Sequence, residues 1–441
     1  MENKEKNTII CRIIIFAIVI VILFFAYQIY QRTNFNDFIR YETKINTSEF
    51  VRDSDIKYNN ERSYKIKSSE YNDAMFAKKI KLNKKTPYKV TCMVKTNNVQ
   101  SNAENVGAQI SIQGSTEMSK SITGTQDWQK IELIFNSKNR EELEIGFRLG
   151  GNYGESTGEA WFANFTIEEG KQNKDNNWKF ACIILKNTRV NINNNQVNIN
   201  ITENEIDDVK SIIKRFEDCC EVMSNGKMTA KSDIYESDNP ITELSYDENH
   251  GYYVSTENIK EQIKEVLEKD EYDHIFAIVK LGDEYHQNDI QIKDWIGLGS
   301  MNYHEIGFSN IRLPNDSRSY IYKYNTRVNL FPEEVFLHEF LHTLERNAQD
   351  YGYERPELHD YEKYGYKEEP LIGQKKWYED YMNKNINSIE GKIGLPSEIY
   401  ILKPTKNSEF KYSYKIDEFK QPQNLIEEIQ EIIRKLINKF K

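Results

Sequence analysis

Histidine is scarce in this 441-residue chain, with seven copies, and cysteine scarcer, with five. No two cysteines have the C-x-x-C spacing of a thiolate metal site, and Cys11 falls inside an apolar run. The remaining four, Cys92, Cys182, Cys219 and Cys220, allow three pairings. Their apolar settings favour buried thiols, with one bridge as the alternative. A basic excess is also missing. Lys and Arg number 59 against 69 Asp and Glu, a formal charge of −10, so nothing resembles a nucleic-acid footprint. Low mean hydropathy excludes a polytopic membrane protein. The length allows two or three domains.

One long apolar run is present. After a charged tail, residues 1–8, the chain stays apolar over 9–30, broken by Cys11, Arg12 and Gln28. That length suits a bilayer crossing. Its end, Phe24-Phe25-Ala26-Tyr27-Gln28-Ile29-Tyr30, lacks the small residues of a cleavage site, so an uncleaved anchor is expected rather than a signal peptide. Lys4, Lys6 and Arg12 before the run are matched by Arg32, Arg40 and Lys44 after it, which leaves orientation undecided by charge. The modules that follow set the expectation: a single-pass protein of the cell membrane, with a juxtamembrane linker at 31–50 and an extracytoplasmic remainder. An inward-facing enzyme is the reverse case.

Residues 51–170 read as short alternating runs broken by Asn, Gly and Ser, such as Tyr88-Lys89-Val90-Thr91-Cys92-Met93-Val94, the pattern of an antiparallel β-sandwich. The segments Gly124-Thr125-Gln126-Asp127-Trp128, Phe147-Arg148-Leu149-Gly150-Gly151 and Gly158-Glu159-Ala160-Trp161-Phe162 resemble jelly-roll carbohydrate-binding modules. That resemblance implies a cell-surface or host glycan as partner through Trp128 and Trp161, unless both are core residues and the module a spacer.

A polar linker at 171–177 leads to 178–404, where strands and helices alternate. Thr202 and Glu205 form a capping box for a helix with apolar Ile206, Val209, Ile212, Ile213 and Phe216. A second helix is expected near 256–269, and strands near 273–281, 306–313 and 320–328. Then comes Val335-Phe336-Leu337-His338-Glu339-Phe340-Leu341-His342. Two histidines four apart face the same way on a helix, offering two ligands to one zinc ion, and Glu339 between them can take a proton from a zinc-bound water. Pro332, Glu333, Glu334 and Gly352 suit the ends of that helix. Strands preceding H-E-x-x-H resemble the zincin metallopeptidases. The resemblance implies an α+β catalytic domain with an edge strand that holds a peptide in extended form. The expected fold class is therefore multidomain: an N-terminal transmembrane helix, a jelly-roll-like antiparallel β-sandwich, and an α+β zincin-like domain.

The third ligand is open. A metzincin has a glycine three residues and a ligand six residues after the second histidine, where this chain has Glu345 and Ala348. The segment after Arg355-Pro356 supplies the candidates His359, Glu362 and Glu357. A short helix opened by Pro356 would put His359 and Glu362 on one face. Imidazole chemistry selects His359, while resemblance to gluzincins favours Glu362. Glu345, one turn past His342, either orients an imidazole or is a plain helix-end carboxylate. At the end, 405–441 holds an amphipathic helical stripe over Leu425 to Phe440, suited to docking or a membrane surface. The expected function is that of a membrane-anchored, extracytoplasmic zinc endopeptidase of protein or glycoprotein substrates, with Glu339 as base and His338, His342 and His359 on zinc. The alternative is a non-catalytic glycan-binding adhesin on a zincin-like fold.

Overall fold

The computed structural model describes residues 38–282, 289–293, 295–313, 330–403 and 408–415. The chain forms two compact units, and the second is inserted into the first: the chain leaves the sandwich unit after Lys171 and re-enters it at Ser408.

The sandwich unit is built from β1 (Ile39–Glu42), β2 (Ser48–Tyr58), β3 (Glu61–Asn72), β4 (Ala74–Lys81), β5 (Pro87–Ser101), β6 (Gly107–Ile112), β7 (Gly124–Asn136), β8 (Glu142–Gly150) and β9 (Ser156–Lys171). One antiparallel sheet runs β1-β4-β8-β6 and the other β2-β3-β9-β5-β7. Period-two alternation sends Tyr88, Val90, Cys92 and Val94 of β5 inward, all at most 1% exposed. They meet Phe76, Ile145 and Phe147 from the facing sheet in one apolar core. Trp128 and Trp161 lie outside that core: Trp161 is in register with Lys65 and Lys95, while their neighbours Tyr64, Phe162 and Val94 face inward.

The second unit opens with β10 (Asn177–Leu185), the hairpin β11 (Asn187–Ile192) and β12 (Asn195–Asn200), and helix α1 (Glu203–Met223), which starts at the Thr202–Glu205 capping box. There follow β13 (Thr229–Ser237), a small hairpin β14 (Ser245–Asp247) and β15 (Gly251–Tyr253), α2 (Lys260–Leu267), β16 (His274–Lys280), β17 (Gly297–Tyr303) and β18 (Ile306–Leu313). The last elements before the return are α3 (Glu334–Asp350), α4 (Lys375–Met382) and the hairpin β19 (Ile386–Ser388) and β20 (Gly391–Ile393). The sheet order is β13-β10-β16-β18-β17, parallel except for β17 at the edge. β16 is buried along its whole length, as is β10 from Phe180 onward, which is why both read as near-continuous apolar runs. α1, α3 and α4 cover one face, and the β11–β12 hairpin with α2 the other.

Two expectations need correction. The apolar run at 9–30 lies outside the described residues, and among those described no helix is long and apolar enough to cross a membrane. The longest, α1, is amphipathic, with Glu203, Glu205, Asp207, Lys210 and Lys214 among its residues. The fold class that began with a transmembrane helix, and the single-pass cell-membrane location, are therefore set aside. The α+β description also fails: strand–helix alternation here makes a mostly parallel sheet, and the described chain is mainly sheet with four α-helices. The segment expected at 405–441 is described over residues 408–415. Its described part, β21 (Glu409–Lys415), pairs antiparallel with β9 and so completes the sandwich sheet. The strand expected at 320–328 and the stripe at Leu425 to Phe440 lie outside the described residues. Cys92, Cys182, Cys219 and Cys220 are all buried and free.

Candidate metal centre

α3 packs Phe336, Leu337, Phe340, Leu341 and Leu344 into the core. That leaves His338 and His342, one turn apart, on its less buried side with ring centroids 4.9 Å apart. The edge strand β17 lies directly over Glu339, whose carboxylate accepts the Gly299 N–H. The strand comes this close because two of its residues have no side chain. A Cβ on Gly297 would sit 2.4 Å from the Glu339 side chain, and one on Gly299 2.8 Å from its Oε2. Arg346, one turn after His342, donates to the Ser300 and Met301 carbonyls and holds the irregular middle of β17.

α3 stops at Gly352, in the left-handed conformation with φ 71°. The chain then returns past Arg355 and Pro356, fixed from several sides. Leu358 donates its N–H to Glu345 Oε1 at 2.8 Å, Trp377 Nε1 donates to the Leu358 carbonyl at 2.8 Å, and Tyr381 donates to the Pro356 carbonyl at 3.2 Å. His359 is thereby brought to ring-centroid distances of 4.9 Å from His338 and 5.0 Å from His342. One nitrogen from each of the three imidazoles lies within 4.8 Å of the others, the one such group among the described residues. Glu357 instead pairs with Arg355, and Glu362 is exposed on a 3₁₀ turn, Tyr361–Tyr364, that begins after His359. The expected helix shared by His359 and Glu362 is thus corrected. Pro356 opens no helix, because the Leu358 backbone is bonded to Glu345 rather than to a turn of its own.

Glu345 does two things at once. Its Oε2 is 3.0 Å from His342 Nδ1, and its Oε1 holds the residue next to His359. Burial pushes the Glu345 carboxyl up, but the His342 and Leu358 hydrogen bonds and the Arg355 charge outweigh it and hold it below the usual range. His338 has its own partner, Tyr378 of α4, whose hydroxyl is 3.0 Å from Nδ1. The motif offers no sign of Tyr378, which lies 40 residues away. Gly297 and Gly299 were equally invisible, although a Gly-x-Gly ahead of the motif is a signal that could be sought.

Burial, with His342 and His359 nearby, pushes His338 down to about 3 and also lowers His359, so these imidazoles stay neutral. Burial raises Glu339 to about 7 against the opposing influence of His342 and the Gly299 N–H. Converging imidazoles, two of them with Nδ1 held by a partner, fit a zinc ion by donor type and by the supports such ligands need.

No family model matches this chain, and no curated protein matches it. Among solved structures it resembles carbohydrate-binding modules from the β-sandwich superfamily (14% identity, TM-score 0.22, 30% of this chain and 57% of that one). It also resembles the xylan-binding domain CBM22-1 from Paenibacillus barcinonensis Xyn10C (12%, TM-score 0.20, 29% and 85%). A third likeness is to the CBM22-1–GH10 modules of Clostridium thermocellum xylanase 10B (12%, TM-score 0.23, 80% and 63%). The chain thus spans under two thirds of the first and third. The first two are named for carbohydrate binding and the third as xylanase modules, and no comparison supports the zincin and protease labels drawn from the motif. TM-scores of 0.20–0.23 are too low to carry function to this chain.

Proposed function

We propose that the second unit is a zinc-dependent hydrolase of amide bonds, with peptides as the first substrates to try. The observation that supports this most is the convergence of His338, His342 and His359 beside the buried carboxyl of Glu339. A zinc ion held by the three imidazoles would supply Lewis acidity to a water and a carbonyl oxygen. Glu339, confined under Gly297 and Gly299, takes the water's proton and delivers it to the departing nitrogen. Its titration near 7 suits a group that must first accept and then donate. Zinc content of the purified chain, followed by digestion of a mixed peptide library, is the test. One equivalent of zinc with chelator-sensitive cleavage supports the reading, and zinc-free, inert protein overturns it.

A second reading, glycan binding by the sandwich, has one surface in its favour. On the outer face Tyr58 and the half-buried Trp128 make an aromatic pair at 5.4 Å, while Trp161 is covered, with Nε1 donating to Asp53 and Lys65 over its ring. An aromatic face of that kind can stack on a sugar ring. Loss of glycan retention in Trp128→Ala would support it, and a wild-type chain that retains no glycan would end it.

A further inference from the structure

We propose that Glu334 and Tyr378 form a carboxylate–phenol–imidazole relay that fixes the tautomer of His338 and sets its affinity for a metal ion. This rests on the zinc reading above and concerns residues that the H-E-x-x-H pattern does not contain. Glu334 and His338 are four residues apart on α3, and Gln374 and Tyr378 are four apart at the start of α4, so two helical pairs face each other. The Gln374 N–H donates to Glu334 Oε1 at 2.8 Å, Tyr378 bonds the same carboxylate, and the Tyr378 oxygen is 3.0 Å from His338 Nδ1. Gly373 permits this approach, since a Cβ there would lie 2.1 Å from a Glu334 oxygen.

The direction of the relay follows from proton count. A phenol has one proton to give. Were it given to His338, Nδ1 would be the acceptor, Nε2 would carry the ring proton, and Nε2 could not ligate. The half-buried Glu334, in its ionised form, accepts the phenol's hydrogen bond instead, which leaves the Tyr378 oxygen to accept from His338 Nδ1–H and frees Nε2. Tyr378 is 2% exposed, so water has little access to its hydroxyl. The arrangement mirrors the other end of the site. There Glu345 holds His342 Nδ1 and the Leu358 N–H, as Glu334 holds Tyr378 and the Gln374 N–H.

The test uses the full chain and zinc alone, with dissociation constants from competition with a chromophoric chelator and a visible spectrum of the cobalt-substituted protein. Tyr378→Phe removes one oxygen and should weaken zinc roughly 10- to 100-fold and alter the cobalt bands, with the metal-free unfolding midpoint little changed. Glu334→Gln should weaken zinc in the same direction by a smaller factor, and it decides the matter if Tyr378→Phe does not fold. Folded variants that bind zinc within twofold of a zinc-binding wild type, with unchanged cobalt bands, overturn the relay alone. A wild type that takes up no zinc overturns both the relay and the hydrolase reading.

Discussion

The two units bury different things. In the sandwich, Phe38, Tyr64, Phe76 and Phe147 meet ring to ring at centroid distances of 4.9–6.2 Å, and the buried charge of Arg148 is met by Asp73. In the second unit, burial falls on titratable groups whose charged forms it opposes: His274, Glu334, His338 and Glu339. A scaffold gains from compensated burial, whereas groups kept off their ordinary protonation lower stability and are tolerated where chemistry needs them. On the reading proposed above, the contrast would put support in the sandwich and reactivity in the second unit.

The contrast can be broken in four ways, taken from the largest effect down. Glu339→Gln should reduce peptide hydrolysis about 10²- to 10⁴-fold while zinc content stays near wild type, because the residues that would hold the ion are His338, His342 and His359. Near-normal turnover in that variant would remove Glu339 from the reaction. Next, His338→Ala, His342→Ala and His359→Ala should each lose stoichiometric zinc, measured by elemental analysis, and Glu362→Ala should keep it. Zinc loss only in the Glu362 variant would exchange the third ligand.

On the sandwich side, Asp73→Ala strands the guanidinium of Arg148, which is 4% exposed. Leaving such a charge unpaired costs about 3–5 kcal/mol, so the sandwich transition in calorimetry should fall while zinc affinity holds. Coupled loss of both would show that the units are not separable in function.

The smallest expected effect is a pH dependence. His274 is fully buried and lowered to about 3 by burial, with Thr343 Oγ1 3.2 Å from Nδ1 and no partner at Nε2 among the described residues. Because the folded pKa lies below the unfolded value near 6.5, the unfolded chain binds the proton first. The stability that His274 contributes is full above pH 6.5 and declines toward pH 3, by roughly 3 kcal/mol at pH 4. His274→Gln should flatten that acid limb in urea titrations, and an unchanged limb would assign it to other groups.

Local pattern alone determined a good part of this protein. Alternation in β5 and β8, the Thr202–Glu205 box and the unbroken apolar run of β16 are set by which faces of a strand or helix are buried, a property written every two or every 3.6 residues. The spacing of His338 and His342 likewise follows from helix geometry. What joins residues distant in sequence was decided only in three dimensions. The parallel order of the second sheet, β21 completing the sandwich, and glycines clearing room above Glu339 depend on which surfaces meet. His359 could be nominated for its chemistry, but its place beside α3 is fixed by bonds from Glu345, Trp377 and Tyr381, and Tyr378 reaches His338 from α4, a separate element. Periodicity records how much of a side chain is buried and leaves its partner unspecified, so supports contributed by other elements emerge only from packing.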